Sequence, residues 1–314
     1  MFFAVLACLL GLLALTFLYQ PEEEPVARAE LPAVGSQPIS PEPSPTFTAR
    51  TLRTRLEEVA AKYPATFGVV VSDPSSGKTV ALNADKRFMA ASLTKLPVLF
   101  ALYRAAARGE VNLEDEITML GSDVQAYGTG VLYTRPVGYT MTLRECAEYM
   151  IKESDNTAWK MLNRYLGRRN IEAELYEIGA RSTAYWVPNT TTPNDVLLML
   201  EAIADPSYTT PELSAEMLDL MTHTSFEDRL PQPLPEGTRV AHKIGSYGDT
   251  FSDAGMVFPR GSRYHDDDAY FIVVIAGDTT EWTARAAIQD ISLATYRLLG
   301  EPRARPVASA RPDA

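Results

Sequence analysis

Ser92 and Lys95 form a Ser-x-x-Lys pair that predicts a nucleophile. A long apolar run follows at residues 96–103, which is typical of a buried helix with the pair at its first turn. Residues three apart lie on one helical face, so the two side chains point the same way. An apolar wall and the positive end of the helix dipole disfavour the ammonium form of a lysine, and a neutral amine can take the proton of a hydroxyl. The expected chemistry is attack by Ser92 on a carbonyl carbon.

A second pair with the same spacing, Ser75 and Lys78, lies in a different context. Residues 73–77 read Asp-Pro-Ser-Ser-Gly between two strand-like runs, a composition typical of a hairpin turn. A Gly-Lys-Thr triplet follows the serines, but the residue that should open a phosphate-binding loop is Ser72 and not glycine. We therefore predict a turn here and no nucleotide site.

Two further polar clusters fall where a catalytic cleft would need them. Residues 154–156 read Ser-Asp-Asn at the junction of two helical patterns, where all three residue types are also common N-caps. Residues 242–246 read His-Lys-Ile-Gly-Ser in a strand-like run, where a lysine is ordinarily a solvated edge residue and a glycine marks a close backbone approach. Either cluster alone fits the structural interpretation better, so only the ordered set of three clusters points to catalysis.

The three clusters in this order resemble the S-x-x-K, S-D-N and K-T-G signature of the class A beta-lactamase family and its penicillin-binding relatives, the penicillin-recognising serine enzymes. The resemblance extends over about residues 49–300. It implies that Ser92 attacks a lactam or amide carbonyl, with Lys95 as proton acceptor directly or through water. It also implies that Ser154 relays a proton to the leaving nitrogen with the help of the Lys243 ammonium.

The same resemblance implies which residues bind the substrate. The backbone N–H groups of Ser92 and Ser246 would form the oxyanion hole. Asn156 would hold side-chain amides of the substrate or of Lys95, and Gly245 and Ser246 would line the substrate site on the strand. Lys243 and Ser246 would meet the carboxylate that beta-lactams share with the termini of peptidoglycan stem peptides. The family needs no metal and no cofactor, and we expect none.

Two departures from the family pattern bear on the reaction. Ile244 stands where the family has a hydroxyl residue, which weakens carboxylate recognition unless Ser246 or Thr250 compensates. The family also has a loop whose glutamate orients the deacylating water, and here the corresponding residues 180–189 form a shortened loop without an acidic residue. A placed base contributes about 100- to 10,000-fold, so we expect beta-lactam turnover to be slow.

The elements that must position these residues alternate in type along the chain. Strand-like runs lie near both ends of the region 49–300 and helical patterns lie between them, which favours an α+β fold. We predict one antiparallel sheet built from both termini and flanked by helices, with an all-α subdomain inserted in the middle, as in the beta-lactamase and transpeptidase fold. The cleft should lie between the sheet and the helical part.

The ends of the chain predict an extracytoplasmic protein. Residues 1–20 contain an uncharged apolar run long enough to span a bilayer, which fits an uncleaved membrane anchor or a cleaved signal segment. Residues 21–48 are rich in Pro, Glu and Ser and predict a flexible linker, and residues 301–314 predict a disordered tail. The enzyme domain would therefore lie outside the cytoplasm, anchored by the N-terminal helix.

Composition excludes several other classes of protein. A net charge of -11 argues against nucleic acid as a partner. The two cysteines, Cys8 and Cys146, predict neither a disulfide framework nor a thiolate metal site. The acidic run that follows His265 is typical of a solvated loop and not of a metal site. We expect a monomer whose only ligand is a small-molecule substrate.

Three classes of function fit these residues. The first is a class A-like beta-lactamase. The second is a penicillin-binding D,D-carboxypeptidase-like enzyme that acts on peptidoglycan, favoured by the missing glutamate and the anchor. The third is a non-catalytic cell-wall binding protein that keeps the fold, and the complete set of Ser92, Lys95, Ser154 and Lys243 argues against it, because a pure binder needs no proton-transfer groups.

Overall fold

A five-stranded antiparallel sheet forms the centre of the fold. The computed structural model describes residues 48–259 and 269–300. Its strands are β1 (Thr66–Asp73), β2 (Lys78–Leu82), β3 (Phe88–Met89), β4 (Glu116–Thr118), β5 (Thr140–Thr142), β6 (Thr190–Thr191), β7 (Arg239–Tyr247), β8 (Thr250–Phe258) and β9 (Tyr270–Gly277). The sheet order is β2-β1-β9-β8-β7, with every neighbouring pair antiparallel. The N-terminal hairpin and the C-terminal strands therefore share one sheet.

Helices cover both faces of this sheet. They are α1 (Ala49–Ala60), α2 (Lys95–Ala107), α3 (Leu143–Lys152), α4 (Asn156–Leu166), α5 (Arg168–Glu177), α6 (Pro193–Ala204), α7 (Pro211–Leu220) and α8 (Glu281–Leu299). Apolar side chains of α1 and α8 form one core with one face of the sheet, and those of α2 to α7 form a second core with the other face. Because both faces are covered, β8 and β9 are buried along their whole length.

The predicted fold class and most predicted elements are confirmed in the described residues. The Ser75 to Lys78 segment is the turn between β1 and β2, as its composition predicts, and not a second active site. The sequence patterns gave no signal for two small ladders, β3 with β6 and β4 with β5, whose strands are only two or three residues long. Strands this short carry no periodic pattern that a sequence could reveal.

The predicted anchor, linker and tail lie outside the described residues, apart from Thr48, which caps α1. Within residues 48–259 and 269–300, none of the helices has the length and hydropathy needed to cross a membrane. The same part of the chain contains no group of three or more His, Cys, Asp or Glu side chains arranged to hold a metal ion.

The 3-10 turn Ala91–Thr94 leads directly into α2 and carries Ser92. Helix α2 is buried almost all round, which explains why its sequence is apolar on every face. Strand β7 passes this turn so closely that a Cβ on Gly245 would lie 3.0 Å from the carbonyl oxygen of Ala90 and 3.4 Å from the Cβ of Ala91. Gly245 thus marks the close backbone approach that its place in a strand predicts.

Candidate active site

A cavity of about 460 Å³ opens beside Ser92, between the 3-10 turn, the start of α4 and the end of β7. Five of the seven predicted site residues line it: Ser92, Lys95, Ser154, Asn156 and Ser246. The other two, Lys243 and Gly245, lie behind this wall on β7, and both are buried. The structure thus brings the three sequence clusters together around one cavity.

The Lys95 side chain lies at the centre of this group. Its Nζ lies 3.0 Å from Ser92 Oγ and 3.1 Å from Ser154 Oγ. It also lies 2.8 Å from the backbone oxygen of Ser154 and 2.7 Å from Asn156 Oδ1. Lys95 is 1% exposed, and burial together with the nearby Lys243 charge holds its pKa well below the usual 10.5.

The hydrogen-bond partners of Lys95 Nζ indicate where the lone pair of a neutral amine points. The Ser154 carbonyl and the Asn156 amide oxygen can only accept hydrogen bonds, so they take the two N–H bonds of a neutral amine. The lone pair is then left for a hydroxyl, and Ser92 Oγ lies within reach. Lys95 is therefore placed to act as the base that activates Ser92.

Ser154 connects the two buried lysines. Lys243 Nζ donates to Ser154 Oγ at 3.0 Å and to the Ile244 carbonyl at 3.2 Å. Lys243 is 1% exposed, and burial lowers its pKa to about 7, partly opposed by the charge of Asp253. The structure excludes the alternative of a solvated edge lysine. With a lysine on each side, the Ser154 hydroxyl can pass a proton between Lys95 and a leaving group.

Asp155 and its neighbours hold this arrangement rigidly. Asp155 caps α4 by accepting from the Ala158 N–H at 2.9 Å, so the N-cap interpretation is also correct for this residue. Its other oxygen accepts from the N–H groups of Val131 and Leu132 at 2.6 and 2.8 Å. Ser154 adopts a left-handed backbone conformation, with φ of 50°. Such strain persists only where the surroundings fix it, and here it turns the Ser154 carbonyl and hydroxyl toward Lys95.

On the sheet side, Arg229 adds a cation that the sequence patterns did not reveal. Its guanidinium donates to Ser246 Oγ at 2.6 Å and to the carbonyls of Gly245 and Ser252 at 3.0 and 2.6 Å. Arg229 is 2% exposed but still borders the cavity. The loop before β7 thus places a positive charge at the end of the strand where Ile244 provides no hydroxyl. Arg229 lies outside any motif, and no spacing rule points to it.

A buried ion network lies directly behind Lys243. His242 Nδ1 lies 2.8 Å from an Asp253 carboxyl oxygen, and its Nε2 lies 3.3 Å from Glu227. These two carboxylates outweigh the effect of burial and raise the pKa of His242 to about 9. Asp253 also accepts from the Leu230 N–H at 3.0 Å. One buried carboxylate therefore fixes both the strand that carries Lys243 and the segment that carries Arg229.

The loop between α5 and β6 closes another side of the cavity. Asn189 from this loop lines the cavity, and its buried Oδ1 has no hydrogen-bond partner among residues 48–259 and 269–300. Among the described residues, the carboxylates that line the cavity are Asp228 and Glu281, which pair with Arg285 at 2.9 and 3.1 Å. On the side of the cavity that this loop forms, the described residues thus provide no carboxylate.

The family of the chain follows from comparison with known proteins. The model of the Beta-lactamase enzyme family matches residues 51–299. The chain belongs to this family. It is 26% identical over 250 residues to Beta-lactamase 3 of Bacillus cereus, covering 70% of this chain and 76% of that relative. It is 28% identical over 272 residues to a beta-lactamase of Streptomyces fradiae, covering 79% and 84%.

One similar solved structure is that of an acyl-enzyme. It is a mutant of PBP-A, solved as an acyl-enzyme complex with penicillin G, with a TM-score of 0.72 and 26% identity, covering 82% of this chain and 98% of the other. Together with the geometry at Ser92, family membership identifies the protein as a serine hydrolase of the class A beta-lactamase type. The roles of the individual residues remain predictions.

Proposed function

We propose that Ser92 opens a beta-lactam or related amide by forming an acyl-enzyme. The Ser92 Oγ bonds to the carbonyl carbon while its proton passes to Lys95 Nζ. The carbon–nitrogen bond then breaks, and the nitrogen receives a proton through the Ser154 hydroxyl. The observation that carries this mechanism is the 3.0 Å contact of Lys95 Nζ with Ser92 Oγ, made by a lysine whose N–H bonds are taken by two oxygen acceptors.

The remaining residues are assigned to binding in this proposal. The backbone N–H groups of Ser92 and Ser246 stabilise the developing oxyanion. The substrate carboxylate binds at the sheet side, where Lys243, Arg229 and the Ser246 hydroxyl provide positive charge and donors. Asn156 accepts from Lys95 through Oδ1 and donates to the Tyr127 carbonyl at 3.1 Å through Nδ2. Gly245 contributes by letting β7 approach the nucleophile and not through a side chain.

We further propose that the acyl-enzyme is hydrolysed slowly. Deacylation needs a base for the attacking water, and the loop beside Ser92 offers the Asn189 amide in place of a carboxylate. An amide oxygen can accept a hydrogen bond from water but cannot take up a proton at neutral pH. Asp228 and Glu281 are held by Arg285 on the sheet side. Loss of general-base help slows the step by about 100- to 10,000-fold.

Slow deacylation also supports a second candidate, a penicillin-binding D,D-carboxypeptidase-like enzyme that acts on peptidoglycan stem peptides. Such an enzyme would be acylated by beta-lactams without needing to turn them over. The similarity to PBP-A, a mutant of which was solved as an acyl-enzyme with penicillin G, favours this candidate. A stem peptide ends in a carboxylate, which suits the same cationic groups at Arg229 and Lys243.

Time-resolved intact-mass spectrometry tests both candidates. The protein is mixed with a penicillin, and the Ser92→Ala variant serves as the control. An adduct whose mass equals that of the penicillin supports acylation with slow deacylation if it lasts for many minutes and is absent from the variant. Rapid hydrolysis without a lasting adduct would refute slow deacylation and would require a base that this proposal lacks. Neither adduct nor hydrolysis would refute both enzyme candidates for lactams and favour a cell-wall binding protein.

We also propose that the enzyme domain works outside the cytoplasm as a monomer, held at the membrane by the N-terminal segment. The uncharged apolar run within residues 1–20 and the Pro-rich residues 21–48 support this location. Cell fractionation followed by N-terminal sequencing distinguishes the alternatives. A membrane-bound protein that begins at Met1 supports an anchor, and a soluble protein that begins after the apolar run shows a cleaved signal segment.

A further inference from the structure

Two tryptophans stack against each other beside the cavity, on its helical side. The ring centroids of Trp159 and Trp186 are 5.0 Å apart, with an interplanar angle of 22°. Trp159 lies on α4, three residues after Asn156, and it lines the cavity that contains Ser92. Trp186 belongs to the loop between α5 and β6, and Lys160 Nζ lies 5.0 Å from its centroid. The proton-transfer groups of the proposed reaction use neither indole.

Several contacts fix the position of this aromatic pair. Tyr185, which precedes Trp186, is buried and donates its hydroxyl to Asn163 Oδ1. Asn163 Nδ2 in turn donates to the Trp159 carbonyl at 2.7 Å. Trp186 adopts a φ of 80°, a conformation that a bulky residue keeps only where its surroundings impose it. The indole of Trp159 is therefore presented on a rigid support, which lowers the entropic cost of binding a ligand.

The charges around the cavity decide which part of a substrate reaches this pair. Arg229 and Ser246 belong to the sheet side, where the substrate carboxylate and leaving group bind in the proposed function. Trp159 and Tyr127 line the helical side, and Tyr127 is 74% exposed. A penicillin carries its carboxylate and its acyl side chain on opposite sides of the lactam carbonyl, so a carboxylate held at Arg229 directs the side chain toward the helical side that Trp159 lines.

We propose that Trp159, supported by Trp186, is the binding surface for a flat aromatic side chain on the acyl part of the substrate. The inference rests on the proposed function, since it requires an acyl donor whose carboxylate is held at Arg229. A ring stacked on the part of the Trp159 indole that lines the cavity gains a contact beyond simple burial of area. The protein then acylates faster with an aryl side chain than with an alkyl side chain of similar volume, by about 3- to 10-fold.

The test compares acylation rate constants for benzylpenicillin and for a penicillin with a straight alkyl side chain of similar volume. Both share one nucleus and one carboxylate, so the ratio of their rates isolates the side chain. Trp159→Leu is expected to reduce this ratio about 3- to 10-fold, and Trp159→Phe to preserve most of it. Trp282→Leu is the matched control, because Trp282 is 79% exposed and does not line the cavity. It is expected to leave the ratio unchanged.

A second measurement does not depend on how well the leucine variant folds. Binding of benzylpenicillin to Ser92→Ala is expected to change tryptophan fluorescence, and the change should shrink when Trp159→Phe is added to that variant. If Trp159→Leu is still acylated and its ratio of aryl to alkyl rate constants equals that of the parent protein, the inference about Trp159 is overturned and the proposed function stands. Failure of both penicillins to acylate the parent protein would overturn the proposed function, and the inference with it.

Discussion

Replacing His242 with asparagine should destabilise the protein at pH 6 far more than at pH 10. The His242 ring is fully buried between Asp253 and Glu227, which raises its pKa to about 9 from the 6.5 of an unfolded histidine. That difference corresponds to about 3 kcal/mol of folding free energy carried by the imidazolium. Asparagine fills part of the same volume but cannot carry the charge.

The sign of the pH dependence follows from the raised pKa. The contribution of the imidazolium is complete below pH 6.5, where both folded and unfolded histidines are protonated. It decreases as the pH rises through 6.5 toward about 9, and it is absent above about 9. The difference in unfolding free energy between parent and His242→Asn should therefore be about 3 kcal/mol larger at pH 6 than at pH 10.

Urea denaturation of both proteins at the two pH values measures this difference directly, because contributions that they share cancel at each pH. His223→Asn is the matched control, since His223 is exposed and adopts a φ of 51°, which asparagine also tolerates. This control should not change the pH dependence of the parent. An equal loss of stability in His242→Asn at pH 6 and pH 10 would mean that folding does not raise the pKa of His242 and would refute the buried ion network.

Three further outcomes are expected. Acylation by a penicillin should slow as the pH rises through about 7, because Lys243 loses its proton there and no longer attracts the carboxylate; a rate that climbs steadily to pH 9 in stopped-flow measurements would contradict this. Asn189→Asp should shorten the acyl-enzyme lifetime on the order of 100-fold by placing a base in the cavity, and mass spectrometry showing an unchanged lifetime would count against Asn189 as the group beside the attacking water. Arg229→Met should weaken binding of carboxylate-bearing lactams about 10- to 100-fold, with little effect on an ester analogue that lacks the carboxylate.

The fold was largely predictable because its elements are long and strongly patterned. The buried strand β9 and the buried helix α2 each carry an apolar run of the right length, and the three motifs fix which elements must meet. Local composition also excluded Ser75 and Lys78, because proline and glycine mark a turn there. The apolar runs and the turn each depend on residues that are adjacent in the sequence, so the sequence alone reveals them.

The parts of the site that were missed depend on contacts between residues distant in sequence. Arg229 reaches Ser246 from a loop 17 residues earlier in the chain, and nothing in that loop distinguishes it from a surface arginine. The burial of Lys243 depends on the 3-10 turn Ala91–Thr94 and helix α7 packing against an edge strand, which a strand pattern does not encode. The stack of Trp159 on Trp186 depends on how the shortened loop folds back, and loop conformation follows from tertiary contacts and not from residue type.

The close approach at Gly245 also limits how such an enzyme can change. A side chain at this position would meet the Ala90 carbonyl and Ser252 Oγ, so the gap between the nucleophile and β7 cannot be widened without moving the backbone. Adaptation to bulkier substrates must therefore come from the opposite wall, formed by Tyr127, Trp159 and the loop that carries Asn189. Directed evolution toward new lactams would be expected to accumulate its substitutions there and to leave Gly245 untouched.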